Sequence, residues 1–191
     1  MRISTTTLES YRLYRSFDWM TTDDMVATAT GTTEWTPAMR AGTLFEAAVD
    51  GDTTEGVDES DVRGVQARLP EGRITQAKVT LDVLGHEIVA KADYLHGLQV
   101  RDLKTTQKAI KIDRYLDSLQ WRIYLEAFGG TEFWYDVVQI KLVNGAWTVK
   151  GMEQFVCYPY PDLRRDIEHW VDRYVSWHRT MGLEERGHEG R

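Results

Sequence analysis

Two aspartates separated by a turn constrain this chain more than any other feature. Asp93 stands nine residues before Asp102, which opens the triplet Asp102-Leu103-Lys104 and leads into Thr105 and Thr106. Residues 86–94 and 98–104 each show partial period-two alternation, and Tyr94-Leu95-His96-Gly97-Leu98-Gln99-Val100 between them suits a tight turn. The spacing therefore predicts a β-hairpin that brings both carboxylates to the same end of neighbouring strands. Two carboxylates held that close repel each other unless a cation lies between them. A hard divalent ion such as Mg²⁺ fits, because it prefers oxygen ligands and keeps several waters. Lys104 is two residues beyond Asp102, so it projects from the same strand face and can hold or polarise a water beside that ion.

The elements around the hairpin supply further polar groups. Thr36-Pro37 reads as a helix start, with threonine as N-cap and proline at the first helical position, and the apolar pattern continues through Leu44, Phe45, Ala48 and Val49. That helix carries Gly42 and Glu46, a third carboxylate from a different element. Residues 112–128 are apolar at helical spacing through Leu116, Leu119, Ile123 and Ala127, and present Gln120 and Tyr124 at i and i+4. Leu119 and Ile123 point about one hundred degrees away from that pair, which leaves Gln120 and Tyr124 free to be altered without emptying a core.

Along the rest of the chain the order is α/β. Ser4 caps a first helix over 5–17, residues 20–34 form a loop or short helix, and 50–61 read as an acidic surface loop. Strands are expected over 75–83, 86–94 and 98–104. Residues 133–143 and 147–158 form a second hairpin around Asn144-Gly145, and 162–181 an amphipathic closing helix. With 191 residues and no repeat or linker, the chain reads as one domain over 1–183 with a flexible tail at 184–191.

In chain order, the Gly42 to Glu46 helix, Asp93, Asp102-Leu103-Lys104 and Gln120-x-x-x-Tyr124 resemble the PD-(D/E)xK nuclease superfamily, in its branch of RecB-like and phage recombination exonucleases. The resemblance covers about residues 36 to 126. Glu46 stands where many RecB-like members carry histidine, as in the phage-exonuclease members, and Ala92 replaces the proline of the superfamily's name. It implies a restriction-endonuclease-like core with a central mixed β-sheet flanked by helices. It also implies a Mg²⁺- or Mn²⁺-dependent deoxyribonuclease, an exonuclease of recombination or end resection, phage-encoded or bacterial. Glu46, Asp93, Asp102 and the Leu103 carbonyl would hold one or two ions, Lys104 would position or deprotonate the attacking water, and Gln120 and Tyr124 would orient the site and touch DNA. A structure-selective or restriction-like endonuclease, or a catalytically quiet nucleic-acid-binding module of the same fold, would share these features.

Composition limits the partners. A net charge of −7 argues against broad coating of nucleic acid, because Lys and Arg supply most of that affinity. Local contact through Lys108, Lys111, Arg114 and Arg122 is compatible with it, the other reading being a solvated helix face. DNA is the expected partner, with a single-strand annealing protein as a possible second. The single cysteine, Cys157, excludes a four-cysteine iron–sulfur cluster and reads as core. No run of about 18 apolar residues exists and Met1-Arg2-Ile3-Ser4 lacks a signal-peptide core, so no membrane partner and a cytoplasmic location, bacterial or in a phage-infected host, are expected. His96 suits a turn exposed to solvent, His169 and His178 lack a third zinc ligand, Trp19 or Trp35 could stack on a base, and nothing in its spacing requires Glu153 at the site.

Overall fold

The computed structural model describes residues 1–183; the tail expected at 184–191 lies outside them. Among the described residues the chain runs β1 (Arg2–Ser4), α1 (Thr5–Ser16), α2 (Thr22–Thr30), α3 (Pro37–Asp50), α4 (Glu59–Gln66), β2 (Ile74–Val83), β3 (His86–His96), β4 (Gln99–Thr106), α5 (Ile112–Leu116), α6 (Gln120–Phe128), β5 (Glu132–Val143), β6 (Ala146–Cys157) and α7 (Leu163–Thr180). The architecture is α/β, a mixed central sheet flanked by helices.

The sheet runs β2-β3-β4-β5-β6, antiparallel except where β4 lies parallel to β5. That parallel pair needs a crossover, and α5 and α6 provide it. β1 pairs parallel with β3 at Glu87–Val89, so β3 shares one edge between β1 near its start and β4 near its end. One face of the sheet packs on α1, α6 and α7 through Ile88, Ala92, Val100, Phe133 and Tyr135, which meet Leu8, Ile123 and Ile167. On the opposite face Leu103, Val138 and Ile140 meet Phe45 and Val49 of α3 and Val62 and Val65 of α4. The inner strands β4 and β5 thus bury both faces, and β5 reads as a nearly continuous buried run over its first nine residues, whereas β2 and β6 stay partly exposed.

Local chemistry accounts for the helix starts. The Thr36 hydroxyl accepts from the Met39 amide at 3.2 Å with Pro37 in the first turn, and Ser4 caps α1 in the same manner at 3.0 Å. Asp58 accepts from the Asp61 amide at 3.0 Å and starts α4, which occupies the end of the segment read as an acidic loop. The single helix expected over 112–128 is two. Between α5 and α6 the Leu119 amide donates to Glu9 Oε2 of α1 at 2.7 Å, while Trp121 Nε1 donates to the Leu116 carbonyl at 2.9 Å and Arg122 Nη1 to those of Asp117 and Ser118 at 3.1 and 3.0 Å. Side chains therefore satisfy the groups that an unbroken helix would have paired internally. A buried ion pair ties β4 to β5: Arg101 donates to Asp136 at 2.9 and 2.6 Å, and Gln154 Nε2 donates to Asp136 at 2.7 Å.

Candidate active site

The β3–β4 ladder runs His96↔Gln99, Leu95↔Val100 and Tyr94↔Arg101, then stops. The next opposed residues are Asp93 and Asp102. There the strands part, because the upstream edge of β3 is taken by β1, and the Asp93 carboxylate accepts the Leu103 amide at 2.7 Å in place of a ladder partner. The hairpin predicted from sequence thus ends in a fork that holds both aspartates. A Cβ at Gly42 would lie 2.9 Å from Thr105 Oγ1, so a glycine is what lets α3 approach β4 and deliver Glu46 to the fork.

Asp102 is almost wholly buried, with 2% exposure. Its Oδ2 pairs with Lys104 Nζ at 2.6 Å, and its Oδ1 accepts from Gln120 Nε2 at 2.9 Å. Gln120 Nε2 also lies 3.1 Å from the Tyr124 hydroxyl. The i, i+4 pair therefore does face Asp102, as the resemblance implied. Tyr124, however, is itself buried between Phe128 and Phe133, so it is not the freely alterable surface residue expected from the helical wheel. The reason is that α6 packs against the sheet through Tyr124 as well as Ile123 and Leu125.

Burial and mutual repulsion set the charges. Desolvation, then the neighbouring Asp102 charge, pushes the Asp93 carboxyl up to about 8, with Glu46 adding to the repulsion and Lys104 and the Leu103 amide opposing it. Burial also raises the Asp102 carboxyl, against the pull of Lys104. Burial disfavours the Lys104 charge, but Asp102 and Asp93 outweigh it and hold the ammonium above the ordinary lysine value. In this arrangement Lys104 is a hydrogen-bond donor rather than a free amine base.

A second layer was not legible in the sequence. Gln76 Nε2 donates to Glu46 Oε1 at 3.0 Å and to Asp50 Oδ2 at 3.3 Å, and the Tyr94 hydroxyl donates to Asp50 Oδ1 at 2.9 Å. Gln76 sits opposite Asp93 in β2, unpaired between the Thr75↔Tyr94 and Ala77↔Ala92 partners, with φ at 53°. A non-glycine residue in that region carries strain and is held there by its surroundings. Nothing in the local sequence marks it, since glutamine inside an alternating strand is unexceptional.

The oxygen-rich donor set is of the kind a hard divalent ion prefers: Glu46 is close enough to Asp93 and to Asp102 to favour the protonated form of each. It is not a finished cage. Among the described residues no three aspartate, glutamate, histidine or cysteine side chains converge at metal-holding distances; Asp102 is paired with Lys104 and Glu46 with Gln76. Of the basic residues, Lys108, Lys111 and Arg114 are exposed, whereas Arg122 is committed to backbone carbonyls and stacks over Trp121 at 4.9 Å. His96 and Glu153 are exposed. Cys157 is core, its thiol pushed up to about 11 by burial.

No protein-family model matches the sequence, and no curated protein does. Solved structures do match in fold. A putative exonuclease from Eubacterium rectale superposes with a TM-score of 0.56 at 13% identity, over 98% of this chain and 83% of that one. An alkaline exonuclease from Laribacter hongkongensis, LHK-Exo, gives 0.56 at 12% identity over 97% and 92%. Its complex with dAMP gives 0.55 at 13% identity over 96% and 92%. The chain therefore has the fold of these exonucleases. Among the described residues no helix is long and apolar enough to cross a membrane.

Proposed function

We propose that the protein is a Mg²⁺- or Mn²⁺-dependent DNA nuclease of the PD-(D/E)xK type, acting as an exonuclease through a single domain over residues 1–183. The observation that carries this reading is the fork. Asp93 and Asp102 face each other where the β3–β4 ladder ends, with Lys104 2.6 Å from Asp102 and Gln120 2.9 Å from its other oxygen. Glu46, Asp93, Asp102 and the Leu103 carbonyl would hold the metal, which when bound activates water and stabilises charge on the scissile phosphate.

The chain's own groups have separable tasks. Lys104, charged and partly exposed, donates a hydrogen bond to the attacking water or to a non-bridging phosphate oxygen. Gln120 fixes the rotamer of Asp102 and is fixed in turn by Tyr124. Gln76 sets Glu46 and Asp50 through one amide group, so α3 and β2 stay in register at the fork. The dAMP bound by the Laribacter exonuclease supports a deoxynucleotide as product. A role in recombination or end resection, a phage or bacterial cytoplasmic setting and a single-strand annealing partner belong to this reading.

Digestion of end-labelled linear DNA and of closed circular DNA, each with Mg²⁺, Mn²⁺ or EDTA, tests it. Metal-dependent release of mononucleotides from linear DNA alone is expected. Cleavage of the circle would make the enzyme an endonuclease, and no cleavage of either with any metal would refute the nuclease reading.

A further inference from the structure

Two hollows near the end of β4 share the same pair of cations. The smaller, about 260 Å³, begins at Thr105 and Thr106, directly after Lys104 on β4, and is walled by Lys108 and Arg114. The larger, about 550 Å³, takes Lys108 and Arg114 as one wall and Phe17 and Trp19, from the turn after α1, as the other. Together they form a track from the Thr105–Thr106 end of β4 past Lys108 and Arg114 to two aromatic side chains, with Arg12 and the Asp117 carboxylate also on the lining of the larger.

The track combines exposed aromatic rings with unpaired cations. Trp19 is 63% exposed and Phe17 49%, an arrangement with no packing role to explain it. Lys108 and Arg114 are exposed as well, and no salt bridge forms at either among the described residues. In a chain of net charge −7 this local positive patch selects for an anion. Aromatic faces beside a cationic wall match a ligand that alternates flat rings with negative charge. A single polynucleotide strand has that composition, with phosphates for Lys108 and Arg114 and bases to stack on Trp19 and Phe17. A duplex keeps its bases stacked inside and has no face to offer these rings.

We infer that Phe17, Trp19, Lys108 and Arg114 form a binding track for a single-stranded segment of nucleic acid running to or from the Asp93–Asp102 fork. The inference rests on the nuclease reading for its direction, but not for its ligand. Stacking is sequence-tolerant because every base has such a face, so the track favours single strands over duplexes without reading sequence.

The test is fluorescence anisotropy of the full chain in EDTA with labelled oligothymidylate and with a blunt duplex of the same length. Wild-type protein is expected to bind the single strand more tightly than the duplex. Trp19→Ala should weaken single-strand binding about tenfold, since one stacked base is worth about that factor. Lys108→Glu with Arg114→Glu should weaken it further and flatten the salt dependence by about 0.7 per lost phosphate contact. All these side chains are exposed, so melting temperatures should not move. Unchanged affinity in both variants, equal affinity for strand and duplex, or no binding by the wild type would each overturn the track. Adding Mg²⁺ separates the two proposals. Strand binding that depends on Trp19 without cleavage would refute the nuclease and leave the track, whereas cleavage with variant-insensitive binding would do the reverse.

Discussion

Replacing Asp93 by asparagine should stabilise the metal-free protein at alkaline pH, and the structure gives the size and sign. The carboxyl lies opposite Asp102, is half-buried, and is pushed up to about 8 by desolvation and then by that neighbour. The folded state therefore holds a proton that the unfolded chain releases near the ordinary value of 3.8. Between those pH values the folded state binds more protons, so its stability is highest below about pH 4 and falls as pH rises towards about 8. The interval from 3.8 to about 8 sets a ceiling of about 6 kcal/mol at 1.36 kcal/mol per unit. Water reaching the carboxyl and movement of the Lys104 ammonium towards it absorb part of that, and a loss of about 2–3 kcal/mol between pH 5 and 9 is expected. Asparagine keeps the acceptor for the Leu103 amide and removes the charge. Urea unfolding in EDTA, followed by tryptophan fluorescence at several pH values, should show a falling profile for the wild type and a flatter one for Asp93→Asn. Parallel profiles would refute the crowded-carboxylate account, as would a variant less stable than wild type at pH 9.

Three further substitutions follow from particular contacts. Gln120→Ala removes a donor from the buried Asp102 carboxylate and should cost about 1–3 kcal/mol in EDTA melts; the folded fraction should also cleave more slowly, and normal specific activity would show Gln120 to be structural only. Gly42→Ala drives a methyl into Thr105 Oγ1, so about 1–3 kcal/mol should be lost; recovery in the double variant with Thr105→Ala, measured by the same melts, would confirm the close approach, and additive losses would contradict it. Arg101→Met leaves Asp136 buried with only Gln154 as side-chain donor, which should destabilise by about 3–5 kcal/mol in urea titrations; a neutral result would mean the strands adjust to hydrate Asp136.

Sequence alone located the features governed by short-range chemistry. Thr36-Pro37 starts α3 because its hydroxyl and its missing amide serve the first turn, and Asn144-Gly145 turns β5 into β6 because both residues adopt positive φ, 51° and 84°. Turn length and strand period placed Asp93, Asp102 and Lys104 together, and the family resemblance set Gln120 beside them. What escaped depends on distant partners. The break between α5 and α6 is supported by Glu9, more than a hundred residues away. β1 is three residues long and exists because β3 has a free edge beside it. Gln76 reaches Glu46 only by adopting a strained backbone inside a strand, which no propensity reveals.

The central claim is that the Asp93–Asp102 fork with Lys104 is a metal-dependent centre for DNA hydrolysis. Its most direct test is digestion of end-labelled linear DNA by wild type and Asp102→Asn at saturating Mg²⁺, with folding of both checked by melting. The account predicts robust, EDTA-sensitive cleavage by the wild type and background cleavage by a folded Asp102→Asn. Undiminished cleavage by that variant would contradict it.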